Sequence, residues 1–388
     1  MFFNDFQEIK LPALGFGAMR LPTKEDGSVD EQQVEAMVAY AMENGVNYFD
    51  TAYPYHGGMS ERIIGKVLSK YPRESYFLAD KFPGHQVLSS YDPRPIFEEQ
   101  LRRCQVEYFD FYLLHNVYEK SIENYLDPQW GILDYFREQK RLGRIKHLGF
   151  STHGQLEFMD RFLDDYGNDM EFCQIQLNYL DWTLQNAKEK YEMLTRRGIP
   201  VWVMEPVRGG KLANFTDPAM KELRPNDSTA SWGFRFLQGL PNVKMVLSGM
   251  SNMEQIVDNV NTFDFRQPLN EQETDLVLDA AERMKNAVPC TACRYCCAEC
   301  PMGLDIPAMM AICSDLRFAP NVNSTLLIQG LPVEKRPSAC IACGRCMRAC
   351  PQGIDIPSVM IELEKQLKTI PSWVEICRQR ELEQQTGK

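Results

Sequence analysis

Two groups of four cysteines near the end of the chain have the residue types and the spacing of metal ligands. Each group follows the pattern C-x2-C-x2-C-x3-C-P, and the second repeats the first at an offset of 50 residues. The eight cysteines are Cys290, Cys293, Cys296, Cys300, Cys340, Cys343, Cys346 and Cys350. Three thiolates of one tight loop can bind three iron atoms of a cubane, and a fourth thiolate must come from elsewhere in the chain. The pattern therefore predicts two [4Fe–4S] clusters.

The duplication extends past the ligands, because the segment PMGLDIP at residues 301–307 returns as PQGIDIP at residues 351–357. Cys297 is a further neighbour that could replace Cys296 as third ligand, and we choose Cys296 because it keeps the offset. Two Cys₄ zinc sites are the alternative, but they do not explain four-cysteine runs that end in proline. Cys104, Cys173, Cys313 and Cys377 are expected to be buried apolar residues.

A second set of polar residues, distant in sequence from the cysteines, could transfer protons. Its members are Asp50, Tyr55, Lys81 and His115, each at or just after the end of a predicted strand. Reduction of a carbonyl needs a hydride on carbon and a proton on the developing alkoxide. A tyrosine hydroxyl can give that proton when a nearby ammonium makes it more acidic. Lys81 could act in this way if Asp50 holds it charged, while His115 would orient the substrate oxygen or share the proton.

Short β-rich runs alternate with helical patterns over residues 11–265, which is typical of repeated βα units. The predicted strands are Leu14–Ala18, Val46–Ala52, Ser75–Lys81, Phe109–His115, Ile145–Ser151, Phe172–Asn178, Val201–Pro206 and Lys244–Gly249. Helical spacing between them is clear in Glu31–Asn44 and Ile132–Leu142. No G-x-G-x-x-G follows the first strand, so we predict an α/β fold with a closed (β/α)₈ TIM barrel, not a Rossmann sheet.

The pattern changes near residues 266–270, and a helix-like segment then leads into the cysteines. We therefore predict a barrel over residues 1–270 and a mainly helical, ferredoxin-like domain with a helical tail over residues 271–388. Catalytic residues of such barrels lie at the carboxyl ends of the strands, where the second set of polar residues is found.

The barrel residues resemble the aldo/keto reductase superfamily, whose members carry Asp and Tyr in a D-T-A-x-x-Y loop and then Lys and His at the next strand ends. Asp50, Tyr55, Lys81 and His115 match these positions. With the appended cysteines, the chain is similar to the iron–sulfur-containing aldo/keto reductases of anaerobic microbes. The resemblance implies an oxidoreductase that reduces a carbonyl or oxidises the alcohol.

The resemblance also implies that a nicotinamide cofactor, NAD(P)H, lies in the barrel mouth. Its carboxamide would contact Ser151, Gln176 and Asn178, and its ring would stack on Met204, which replaces the usual aromatic. Thr152 stands where the family has Asn. A flavin, or electrons delivered by the clusters, is the alternative to a nicotinamide. Asn116, His153, Glu205 and Arg208 are further strand-end residues that could line a polar substrate pocket.

The family's phosphate-binding loop and helix correspond to residues 248–259, from Ser248 to Asn259. Gly249 and Gln255 stand where Lys and Arg commonly grip the 2′-phosphate of NADP. Because these two cations are missing, the resemblance does not support a preference for NADP over NAD.

The cysteine runs resemble bacterial two-cluster ferredoxins, in which the fourth ligand of each run belongs to the other cluster. This implies one cluster on Cys290, Cys293, Cys296 and Cys350, and another on Cys340, Cys343, Cys346 and Cys300. The spacer between the runs is longer than in small ferredoxins, which suggests a helical insertion. The clusters would relay electrons to or from a redox partner protein such as a ferredoxin, and a purely structural role is the alternative.

Composition limits the remaining function classes. A net charge of −11 argues against a nucleic-acid groove, and no apolar run is long enough to span a membrane. Clustered cysteines in a chain without a signal-like start favour a reducing, cytoplasmic location. A non-enzymatic redox sensor or interaction protein, and an electron carrier with a vestigial barrel, remain alternatives to the enzyme; the intact set of Asp50, Tyr55, Lys81 and His115 argues against both.

Overall fold

The fold was analysed in a computed structural model that describes residues 1–86, 88–210, 212–213, 217–284, 288, 290, 294–318, 322–350 and 353–386. The chain divides into two compact units, one formed by Met1–Val277 with Arg380–Lys388 and the other by Leu278–Gln379. The division predicted at residue 270 remains a prediction. Among the described residues, no helix combines the length and the apolar character needed to cross a membrane.

The described residues of the first unit form ten strands, of which eight close a parallel barrel in the order β10-β3-β4-β5-β6-β7-β8-β9. The strands are β1 (Phe3–Phe6), β2 (Ile9–Pro12), β3 (Leu14–Gly17), β4 (Tyr48–Asp50), β5 (Phe77–Phe82), β6 (Phe109–Leu114), β7 (Ile145–Thr152), β8 (Cys173–Gln176), β9 (Val201–Met204) and β10 (Val243–Ser248). The ring closes where Val246 of β10 pairs with Leu14 of β3. The predicted barrel and all eight of its predicted strands are confirmed.

The α-helices of the described residues lie between and after these strands. They are α1 (Glu31–Glu43), α2 (Met59–Leu68), α3 (Pro93–Cys104), α4 (Ile122–Leu126), α5 (Ile132–Arg141), α6 (Leu156–Tyr166), α7 (Asp181–Leu184), α8 (Ala187–Arg196), α9 (Pro218–Leu223), α10 (Thr229–Gln238), α11 (Met253–Thr262), α12 (Glu271–Met284), α13 (Tyr295–Ala298), α14 (Ile306–Phe318), α15 (Val322–Gly330), α16 (Arg345–Ala349), α17 (Ile356–Thr369) and α18 (Trp373–Thr386). Helices α1 and α5 correspond to the two helical segments predicted from spacing.

Strands β1 and β2 form an antiparallel hairpin that the sequence did not predict. Each strand has four residues, and the turn uses Gln7 at φ 51° in place of glycine, so the usual hairpin signal is absent. Phe6 packs on Phe111 and Trp202, with ring centroids 5.8 and 5.0 Å away. Both partners lie near the amino ends of their strands, so the hairpin seals that end of the barrel and leaves the carboxyl ends for the site.

The second unit is helical, and its apolar core joins the two halves of the sequence repeat. Helices α14 and α17 both begin in the repeated D-I-P segment, and they bury Ile306 and Ile356 in one cluster. Arg317 of α14 donates two hydrogen bonds to the Glu362 carboxylate of α17, at 2.7 and 2.6 Å. The duplicated sequence therefore folds as two loop-and-helix units that pack together, and the predicted helical region after the barrel is confirmed.

Candidate active site and cluster sites

A buried ion pair lies at the carboxyl ends of the neighbouring strands β4 and β5. The Lys81 Nζ donates to Asp50 Oδ1 at 2.6 Å and to the Thr51 carbonyl oxygen at 2.7 Å. The side chains of Lys81 and Asp50 are 0% and 5% exposed. Parallel pairing of the two strands brings these residues, 31 positions apart in sequence, together at the carboxyl end of the barrel.

Burial and the ion pair act in opposite directions on these two groups. Burial alone would lower the pKa of Lys81, but the charge of Asp50 and the nearby Tyr55 outweigh it, and the pKa is raised. Burial raises the pKa of Asp50, and Lys81 opposes this shift. Lys81 therefore carries its positive charge at neutral pH, inside a region from which water is excluded.

Tyr55 lies directly over this charge. Its ring centroid is 5.1 Å from Lys81 Nζ, and its ring meets that of His115 edge to face at 6.0 Å. The turn that carries Tyr55 needs left-handed backbone at His56 and Gly57, with φ of 51° and 63°. His56 is fixed there because its Nε2 accepts a hydrogen bond from the Leu21 amide at 3.2 Å. The structure thus brings together all four residues of the predicted catalytic set.

A second histidine, His85, lies against His115 and was missed from the sequence. The two ring centroids are 4.2 Å apart, and both rings lie next to the carboxyl ends of β5 and β6. His115 itself is held by the Tyr125 hydroxyl, which donates to its carbonyl oxygen at 2.7 Å. The signal for His85 was its place four residues after Lys81, in the same loop at a strand end.

Behind Lys81, a buried polar network holds its backbone on both sides. The Lys81 amide donates to Asp80 Oδ1 at 2.8 Å, and its carbonyl oxygen accepts from Gln100 Nε2 at 3.0 Å. Gln100 also donates to Glu61, which accepts from Arg103 at 2.7 Å. Burial, and then repulsion from Glu61, raises the pKa of Asp80 well above its usual value.

The predicted carboxamide contacts lie together at the ends of β7 and β8. Gln176 Nε2 and Asn178 Nδ2 each donate to Asp181 Oδ2 at 2.7 Å, and Ser151 Oγ accepts from the Asn116 amide at 2.8 Å. The Oε1 of Gln176 is buried and has no hydrogen-bond partner among the described residues. An unsatisfied buried acceptor suits an amide N–H donor, which a nicotinamide carboxamide provides.

Asp181 organises this part of the site, although the sequence did not single it out. Besides Gln176 and Asn178, it pairs with Arg208, whose Nε lies 3.3 Å from Asp181 Oδ1. The side chains of Asp181 and Arg208 are 0% and 5% exposed. Met204, the residue predicted to stack on the ring, is half-buried, and its Sδ accepts from Gln174 Nε2 at 3.6 Å.

The predicted phosphate-binding loop follows β10. Asn259 Nδ2 donates to Ser248 Oγ at 2.9 Å, and Gln255 Oε1 accepts from the Ser251 amide at 2.7 Å. A Cβ atom on Gly249 would lie 3.1 Å from the Cβ of Arg20, so the glycine lets this arginine lie across the loop. Arg20 Nη2 then reaches Glu205 Oε1 at 3.3 Å. Sequence reasoning missed Arg20, which brings a cation beside the loop that lacks its own.

Four of the predicted cluster ligands surround one cavity of the second unit. Cys340, Cys343 and Cys346 of the second run and Cys300 of the first run all line it. Its other walls are apolar and include Leu304, Ile306, Ile341, Ile356 and Met360. A cavity lined by four thiols and apolar side chains fits the donor set and the surroundings of a [4Fe–4S] cluster.

The other predicted ligand set is seen in part. Cys293 lies outside the described residues, while Cys290, Cys296 and Cys350 pack on the same apolar core. Burial, and then the thiols of Cys297 and Cys290, raises the pKa of Cys296 to about 12. A bound iron ion would favour the thiolate form of these side chains. Cys297 is half-buried beside Cys296, so both remain candidates for the third ligand.

Comparisons with known proteins agree with this architecture. The aldo/keto reductase family matches residues 13–282, and the 4Fe-4S dicluster domain matches residues 289–354. A probable aldo-keto reductase of Glycine max is 31% identical over 156 residues, which span 37% of this chain and 42% of that protein. The L-galactose dehydrogenase of Arabidopsis thaliana is 26% identical over 307 residues, spanning 72% of this chain and 93% of that protein.

A solved aldo-keto reductase of Klebsiella pneumoniae, in complex with NADPH, shares the fold. It has a TM-score of 0.55 and 19% identity, covering 73% of this chain and 95% of that chain. Because the matched region of the family spans the whole barrel, the chain is an oxidoreductase that belongs to the aldo/keto reductase family and carries a 4Fe-4S dicluster domain after its barrel.

Proposed function

We propose that the barrel reduces the carbonyl group of a small molecule, or oxidises the corresponding alcohol, with Tyr55 as the proton donor. The observation that carries this proposal is the buried Lys81–Asp50 ion pair, whose ammonium lies 5.1 Å from the Tyr55 ring. A charge held in a water-excluded site stabilises a developing phenolate far better than a charge in solvent does.

Each residue has one task in this proposal. The Tyr55 hydroxyl gives its proton to the alkoxide oxygen that forms from the carbonyl, and Lys81 stabilises the phenolate left on Tyr55. Asp50 keeps Lys81 charged and in place through the 2.6 Å hydrogen bond. His115, whose ring meets Tyr55 edge to face, orients the substrate oxygen.

The nicotinamide site is proposed from residues that fit it. When bound, a reduced nicotinamide supplies the hydride for the carbonyl carbon. Gln176 offers its unsatisfied buried oxygen to the carboxamide, while Ser151 and Asn178 complete the surroundings. Ser248, Gly249, Gln255 and Asn259 lie at the phosphate end, where Gln255 is already bound to Ser251. We propose that the site does not select for the 2′-phosphate, and a flavin is the alternative carrier.

For the clusters, we propose the exchanged ligand sets, one on Cys290, Cys293, Cys296 and Cys350 and one on Cys340, Cys343, Cys346 and Cys300. The cavity that joins Cys300 to the second run supports the latter set. Bound clusters supply one-electron transfer, and we propose a protein such as a ferredoxin as their partner. The division into residues 1–270 and 271–388 and a cytoplasmic location complete this proposal.

The proposal is tested by Tyr55→Phe, which removes one oxygen and keeps the ring. The protein is purified without oxygen, its released cofactor is identified, and turnover is measured with NADH and NADPH on a panel of aldehydes, ketones and sugars. We expect kcat to fall by about 10²–10⁴-fold with the iron content unchanged. An unchanged kcat would show that Tyr55 is not the proton donor. Identification of a flavin as the released cofactor would show that the barrel uses flavin and not a nicotinamide.

A further inference from the structure

One surface of the second unit is both apolar and positively charged. We define the basic face by Ile341, Cys343, Arg345, Met347 and Arg348, all of which are exposed to solvent. Ile341 and Met347 are 61% and 38% exposed, which is unusual for large apolar side chains. Such residues on a protein surface, bordered by charges of one sign, mark a site of interaction with another protein.

The basic face adjoins the cavity proposed for the second cluster. Ile341 and Cys343 belong to the face and also line that cavity, together with Cys300. A protein that docks on the basic face would therefore contact Cys343, which is itself one of the predicted cluster ligands. Electron transfer between proteins requires a short distance between the two redox centres. The position of the basic face beside the cavity therefore suits electron transfer.

The two arginines of the face are available to a partner. In the part of the chain that the structure describes, neither Arg345 nor Arg348 forms an ion pair or a side-chain hydrogen bond. The neighbouring cations are already used, because Lys335 Nζ donates to the Met302 carbonyl oxygen at 2.8 Å and Arg336 donates to the Leu331 carbonyl oxygen at 3.0 Å.

The first cysteine run provides an internal comparison. Residues 290–300 contain one arginine and one glutamate, whereas residues 340–350 contain two arginines and no acidic residue. In the first run, Arg294 is neutralised by Asp305 at 3.2 Å. The positive charge is thus a property of the second run alone, and it stands out on a chain whose net charge is −11.

We propose that the basic face is the docking site of a small acidic electron-carrier protein. This inference rests on the proposed electron-transfer role of the clusters and adds the surface and the charge of the partner. In each encounter one electron passes between the carrier's redox centre and the cluster beside the face, so one is oxidised and the other reduced by one electron, and no atom is transferred. A second copy of this chain is a poorer occupant, because a two-fold dimer through this surface would bring the two basic faces, each with Arg345 and Arg348, against each other.

Binding to this face should depend strongly on salt. Opposite charges steer the encounter and raise association rates by roughly 10–10³-fold at low ionic strength. Interfaces of electron carriers are small, so loss of the two charges removes much of the attraction. Ions at about 0.5 M screen exposed charges within a few ångström, which weakens the complex further.

The test uses the full chain with its clusters and an acidic plant-type [2Fe–2S] ferredoxin as probe. Affinity is measured by anaerobic calorimetry with both proteins oxidised, from about 0.02 M to about 0.5 M ionic strength. Arg345→Glu with Arg348→Glu reverses the charge of the face. The control is Lys368→Glu, an exposed cation of α17 that lies about 12 Å along the helix from Met360, which lines the cavity. It is compared with Arg345→Glu alone, which changes the net charge by the same amount.

We expect the double variant to weaken binding by at least about tenfold at low salt and to flatten the salt dependence. Lys368→Glu should leave both unchanged, and iron content should be the same in all proteins. Equal affinity of the double variant, an equal loss in Lys368→Glu, or salt-dependent self-association in place of binding would each overturn the proposal. Carbonyl turnover is measured separately, so failure of the barrel proposal would not be mistaken for failure of docking.

Discussion

Lys81 is the residue on which the barrel site depends, because its charge is held where water cannot screen it. Both its side chain and its backbone are fixed, the first by Asp50 and the second by Asp80 and Gln100. A buried ion pair contributes little net stability, and removal of one partner leaves an uncompensated charge. The arrangement is therefore explained better by chemistry at Tyr55 than by stability of the fold.

The titration of Asp80, which accepts a hydrogen bond from the Lys81 amide, can be tested through the pH dependence of the free energy of unfolding. A carboxyl whose pKa is raised by folding stabilises the fold below its unfolded pKa, and this contribution is lost as pH rises through the folded pKa. Asp80→Asn keeps an acceptor for Lys81 and a donor for Glu61 without titrating. We expect its free energy of unfolding, measured in urea, to improve relative to the parent as pH rises above 3.8.

Asp80→Leu is the matched control, since it keeps the volume and removes both hydrogen bonds. Relative to Asp80→Asn, it should be destabilised at every pH by about 1–3 kcal/mol. A constant difference between Asp80→Asn and the parent across the pH range would show that folding does not raise the pKa of Asp80.

The sequence was sufficient to predict that Asp50, Tyr55, Lys81 and His115 lie together, because each stands at or after the end of a strand and parallel strands bring their carboxyl ends together. Their catalytic roles stay a prediction. His85, Asp181 and Arg20 were missed because their roles arise from contacts between loops. No spacing rule predicts that the ring centroids of His85 and His115 lie 4.2 Å apart. Nor does one predict that Asp181 accepts hydrogen bonds from both Gln176 and Asn178.

At the scale of elements, the loop between β10 and α11 is the segment that we propose to hold the phosphate end of a cofactor. The helix offers backbone amides at its amino end, and Asn252 caps it by accepting from the Gln255 amide. Gly249 leaves space that Arg20 fills from the loop after β3. We therefore predict that Arg20, from the loop after β3, supplies the cation that residues 248–259 lack.

Arg20→Ala tests whether Arg20 supplies the cation that the loop after β10 lacks. If Arg20 contacts the cofactor's phosphates in ground and transition states alike, the KM for NAD(P)H should rise by about 3–10-fold with kcat nearly unchanged. Arg141→Ala, an exposed arginine of α5 that pairs with Glu138, is the control and should change neither constant. Equal KM values in all three proteins would exclude a contact between Arg20 and the cofactor.

Strand prediction succeeded for β3–β10 because buried parallel strands are continuous apolar runs between helices. It failed for β1 and β2 because a four-residue strand has too few alternations to be recognised, and Gln7 hides the turn. Phe6, at 3% exposure, packs on Phe111, Phe172 and Trp202, which are distant in sequence.

At the scale of the whole molecule, the chain joins an aldo/keto reductase barrel to a 4Fe-4S dicluster domain, for which we propose that the two cysteine runs exchange their fourth ligands. Exchange of the fourth cysteine makes a specific prediction for paired variants. Cys300→Ala with Cys343→Ala should remove one cluster, because both residues line the same cavity. Iron should then fall from about eight to about four atoms per chain.

The opposite pairing is the control for this experiment. Cys350→Ala with Cys343→Ala should remove both clusters and nearly all iron, since the exchanged sets assign these cysteines to different clusters. Iron and sulfide are counted after anaerobic reconstitution. The reverse result, with both clusters lost in the Cys300 pair and one in the Cys350 pair, would show that each run keeps its own fourth ligand.

The closure of the barrel by β10 against β3 has a consequence for synthesis of the protein. Strand β3 cannot pair with β10 until Val246 has left the ribosome. Until then β3 is an unpaired edge strand with which other chains could pair. The cysteine runs are made after both strands. Both cysteine runs are therefore complete only after all the barrel strands have been synthesised.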